Sequence, residues 1–68
     1  MFNYAKLRGR MRECGYTQAQ LAETIGMYYS TLSAKLNNKS EFTSGEIEKI
    51  CSALNIERCD IGIYFFAM

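Results

Sequence analysis

Sixty-eight residues make one domain, residues 1–68, near the lower size at which a single core holds a chain together. Three cysteines, Cys14, Cys51 and Cys59, without CxxC spacing and with no histidine, argue against a secreted disulfide framework and against zinc, and fit a reducing cytoplasm. The net charge of +1 hides an asymmetry: residues 1–40 carry six basic and two acidic side chains, residues 41–68 two basic and five acidic, so one end can face a polyanion.

Tyr4, Leu7, Met11 and Cys14 form one apolar stripe at helical spacing, with Asn3 placed to cap its start and Gly15 to end it. The opposite face holds Lys6, Arg8, Arg10 and Arg12. Thr17 and Gln20 form a capping box that opens a second helix, whose inner face is Leu21, Ala22 and Ile25 and whose end is Gly26. A third helix is predicted from about Tyr29 to Leu36, with Leu32 and Leu36 inward and Asn37 and Asn38 closing it. Thr43 with Glu46 makes a second capping box, and Phe42 with Ile47 a hydrophobic staple, at the start of a fourth helix. Ile47, Ile50, Cys51 and Leu54 line its inner face, and Asn55 ends it. A short fifth helix is expected over about Glu57 to Gly62. The closing "IGIYFFAM" either finishes that helix or runs extended as a strand; periodicity does not choose over so few residues. This apolar stretch is too short to span a bilayer. The fold class is therefore all-α, a compact four- to five-helix domain with a short extended C-terminal tail as the open alternative.

Helices two and three are each about two turns long and persist only by packing on the rest. Gly26 supplies the backbone turn between them and Met27 an apolar plug, which is the pattern of a helix-turn-helix. A corner used only for packing shows similar signals. With Leu32 inward and a step of about 100° per residue, Ser30, Ser33, Ala34 and Asn37 fall on the outer face of helix three, flanked by Tyr29.

The chain resembles the phage Cro and repressor group of helix-turn-helix proteins, the XRE family. Gln18, Leu21-Ala22, Ile25-Gly26, Met27, Leu32 and Asn37 stand in the family register, and "STLSAKLNNKSEFTSGEI" and "IYFF" look like small phage-encoded regulators. The resemblance implies a lambda-repressor-like domain in the cytoplasm of a bacterial host. Its implied function is to bind double-stranded operator DNA as a homodimer and regulate transcription, with helix three in the major groove. It places Tyr29, Ser30 and Ala34 at base-reading positions, with Thr31 and Ser33 beside them. A hydroxyl meets a base edge, and the Ala34 methyl can meet a thymine methyl. Thr17 and Gln18 at the start of helix two, and Asn37, Lys39 and Ser40 after helix three, are the implied phosphate contacts. Asn38 stands where the family usually has glycine. Helix three has no arginine, glutamine or asparagine before Asn37, so more of the readout is left to DNA shape.

Dimer contacts are expected from Tyr64, Phe65, Phe66 and Met68, since nothing after them covers them. The other arrangement has Phe65 and Phe66 folding back to seal the core near Phe2. A second reading of function is a modulator that binds a partner repressor, which the acidic C-terminal half would suit. An enzyme is not expected, because the chain has no histidine and no convincing carboxylate pair; nor is a cofactor or small-molecule ligand.

Overall fold

A computed structural model describes residues 1–68. The elements are α1 (Ala5–Glu13), α2 (Gln18–Thr24), α3 (Tyr29–Leu36), α4 (Ser44–Leu54), a single 3₁₀ turn (Arg58–Asp60) and α5 (Ile61–Phe65). The fold is all-α. Each helix sends at least one fully covered side chain to a common core: Leu7 from α1, Leu21 from α2, Leu32 from α3, Ile50 and Leu54 from α4, and Phe65 from α5. No helix is long and apolar enough to cross a membrane.

The chain makes four sharp corners by one device. Gly15, Gly26, Asn38 and Asn55 all have left-handed backbones, with φ of 77°, 71°, 62° and 54°. After each, the next residue's amide reaches back to the last turn: Tyr16 to the Met11 carbonyl, Met27 to Ala22, Lys39 to Ala34 and Ile56 to Cys51, at 2.8–2.9 Å. This six-to-one closure satisfies carbonyls that a helix end leaves bare. Only the two asparagines carry a side chain in this conformation, and Asn38 uses it. Its Oδ1 accepts from the Phe2 amide at 2.9 Å and its Nδ2 donates to the Phe2 carbonyl at 2.7 Å. Glycine could not make this clasp between the end of α3 and the N-terminal segment.

Both expected capping boxes form. Thr17 and Gln20 cap α2, and Thr43 and Glu46 cap α4, each with reciprocal side-chain and backbone bonds. Asn3 acts one residue further out than a helix cap, its Oδ1 accepting from the Ala5 amide at 2.9 Å. Cys14, expected on the buried stripe, caps the end of α1 and is half-buried against the core.

The C-terminal end corrects three expectations. The predicted helix over Glu57–Gly62 is a 3₁₀ turn that hands over to α5, and the extended alternative fails because residues 61–65 are helical. Phe65 is 1% exposed, so it belongs to the monomer's core and is not a dimer contact. Its ring meets Phe42 edge-on at 5.5 Å, and Phe42 meets Tyr4 in the same way. Tyr64 is half-buried and also packs on the core. Phe66 and Met68 are exposed, although one edge of Phe66 rests on Phe2 at 5.6 Å. The fold-back arrangement thus holds for Phe65 and for one side of Phe66. The Asn3 amide donates to the Ala67 carbonyl, tying the two ends of the chain together.

Candidate nucleic-acid interface

α2 and α3 pack against each other across the Gly26 corner, with Leu21, Ala22, Ile25, Leu32 and Leu36 buried between them and the rest of the bundle. That burial fixes which side of α3 faces out. Tyr29, Ser30 and Thr31 are exposed, and Ser33 and Ala34 are half-exposed. Tyr28, which no sequence signal singled out, is 82% exposed beside Tyr29 at 56%. The start of α3 differs from the starts of α2 and α4: Tyr28 provides no side-chain cap. The first-turn amides of α3 therefore have no side-chain acceptor on this outer end.

Thr17 and Gln18 line a shallow basin together with Arg8, Met11, Arg12 and Tyr16. This brings two guanidinium side chains of α1 to the N-terminal end of α2. Gln18 is half-buried, and its Nε2 is a buried donor without a hydrogen-bond partner. Arg8 also points its Nη2 toward the Leu36 carbonyl and Asn37 Oδ1, both at 3.4 Å. Asn37 in turn donates to the Ser33 carbonyl at 2.9 Å. The phosphate candidates at the two ends of the motif are thus joined through Arg8. Lys39 and Ser40 are exposed just beyond the α3 closure.

Arg10, by contrast, is held against the end of α4. Its Nε donates to the Leu54 carbonyl at 2.9 Å, at the C-terminal end of α4, where a cation also suits the helix dipole. Long-range capping of this kind leaves no signal in local spacing. Of the basic side chains of α1, Lys6 and Arg12 are exposed and Arg8 is half-buried.

Lys35 was also missed by sequence reasoning, because a lysine in an amphipathic helix ordinarily reads as surface. It is 8% exposed, and its ammonium sits 2.8 Å from Glu46 Oε1. Burial alone would raise the Glu46 carboxyl pKa. The bond from Lys35 and those from Thr43 outweigh it and hold the carboxyl below its ordinary value.

On the other side of the molecule, an open groove runs along α4, the 3₁₀ turn and α5. Ile47, Cys51, Ile61 and Phe66 supply apolar walls, and Glu48, Glu57 and Arg58 supply charged ones.

Comparison with known protein families matches residues 1–68, the whole chain, to one described as protein of unknown function (DUF739). The chain belongs to that family. No curated protein matches the chain.

Proposed function

We propose that this DUF739 chain is a sequence-specific DNA-binding regulator of transcription, of the phage Cro and repressor kind. It binds operator DNA as a homodimer with α3 in the major groove. The observation that carries this reading is the uncovered outer face of α3, Tyr29, Ser30, Thr31, Ser33 and Ala34, on a helix whose other face is locked into the core. The polar flanks of that face are where phosphates would lie: Thr17, Gln18 and Arg8 on one side, Asn37, Lys39 and Ser40 on the other. A lone domain of this size buries too little DNA for a tight specific complex, which is the reason for a dimer. The exposed Phe66 and Met68, with Ile63 at 46% exposure, are the apolar surface left for it. Half-sites would then lie roughly 34 Å apart, one helical turn.

The test is selection of bound duplexes from random DNA, followed by a gel shift with the selected site. The expected result is a palindromic consensus and a shift by this chain alone. The groove on α4 and α5, apolar and edged by Glu48, Glu57 and Arg58, favours a second reading in which the chain engages a partner repressor. A shift seen only through a partner repressor, and never with this chain alone, would move the function to that reading.

A further inference from the structure

Lys35 is the one charged side chain buried in the molecule. Its ammonium donates to Glu46 Oε1 at 2.8 Å, in the first turn of α4, and to the carbonyl of Glu41 at 2.9 Å, within the loop that follows α3. The same Glu46 oxygen accepts from the Thr43 amide at 2.8 Å, so one atom caps α4 and holds the cation. The bond from Lys35 is also the only hydrogen bond to the backbone of Ser40, Glu41 or Phe42. Removing an ammonium and a carboxylate from water is costly, and an apolar side chain of similar volume often serves stability as well or better. Stability is thus a weak reason for a lysine at this position. Its geometry supplies a stronger one, because the pair spans from the recognition helix to the only otherwise unbonded stretch of the loop.

On the DNA-binding reading above, we propose that Lys35 is a positioning residue. Its clip to Glu41 and Glu46 sets where the 37–43 loop, with Lys39 and Ser40, stands relative to α3, without Lys35 touching DNA. The side chain is buried and two of its three donors are held by Glu41 and Glu46, which keeps the ammonium away from a phosphate.

The test is a double-mutant cycle on affinity for the selected duplex, with Lys35→Met and Lys39→Ala, folding being checked by circular dichroism. Positioning predicts that Lys35→Met weakens binding to all sequences alike by about tenfold, and makes the salt dependence shallower by about one contact. It further predicts that adding Lys39→Ala costs little more, because the misplaced loop has already lost that contact. A Lys35 that only stabilises the fold predicts losses that simply add, or none in a folded variant; either result overturns the proposal. If Lys35→Met does not fold, Glu46→Gln takes its place in the same cycle, since glutamine keeps an acceptor for the Thr43 amide while weakening the hold on Lys35. Wild-type protein that selects no duplex would overturn the DNA reading itself, and this inference with it. Additive losses on a wild type that does bind overturn the positioning role alone.

Discussion

Tyr29 and Lys39 lie at opposite ends of the α3 surface and should fail differently when truncated. A base-facing Tyr29 predicts that Tyr29→Ala loses about 1–3 kcal/mol of binding and relaxes the preference at one position of the site. Lys39→Ala should weaken every sequence alike; binding titrations against the selected duplex and single-base variants separate the two. Asn38 is a residue of a different kind, because its side chain serves the fold. Asn38→Ala keeps the left-handed strain and loses both bonds to Phe2, so about 2 kcal/mol of stability should go, read by urea denaturation. Asn38→Gly relieves the strain and should cost less. From the sequence Asn38 looked like a tolerated stand-in for glycine. The clasp spans 36 positions of chain, and nothing local announces it.

At the scale of elements, the starts of α2 and α4 were legible because a capping box is written within four residues. The ends at Gly15, Gly26, Asn38 and Asn55 were legible for the same reason. The C-terminal element was not. α5 has only five residues, too few for a period, and its phase is set by Phe65 finding Phe42 rather than by its own pattern. The cations were misread where their partners are distant: Arg10 on the α4 carbonyls and Lys35 on Glu46. The candidate reading face itself was legible, since placing Leu32 inward decides which residues of a two-turn helix point out. One consequence belongs to the α4 cap. The Glu46 pKa lies below its ordinary value of 4.5, so its contribution to stability is complete above that pH and is lost as pH falls through the folded value. Denaturation curves at about pH 5 and pH 3 should show a larger loss for the wild type than for Glu46→Gln, which keeps the acceptor but cannot titrate.

Two surfaces of the molecule differ in character. Basic and polar groups of α1 and of the start of α2 line one shallow basin, and the mixed apolar and charged groove of α4 and α5 forms a separate surface. Self-association through the second would leave the first free for a duplex. The two adjacent phenylalanines separate packing from association. Phe65→Ala should remove about 3–5 kcal/mol, enough to unfold so small a domain. Phe66→Ala should leave it folded and shift sedimentation toward monomer. An unchanged dimer in Phe66→Ala would move the interface elsewhere.

The most direct measurement is a map of backbone amide shifts by NMR as the selected duplex is added. With α3 in the major groove, the largest changes fall on residues 29–34, with Thr17, Gln18, Asn37, Lys39 and Ser40 around them. Changes confined to the α4 and α5 groove, with residues 29–34 undisturbed, would contradict it.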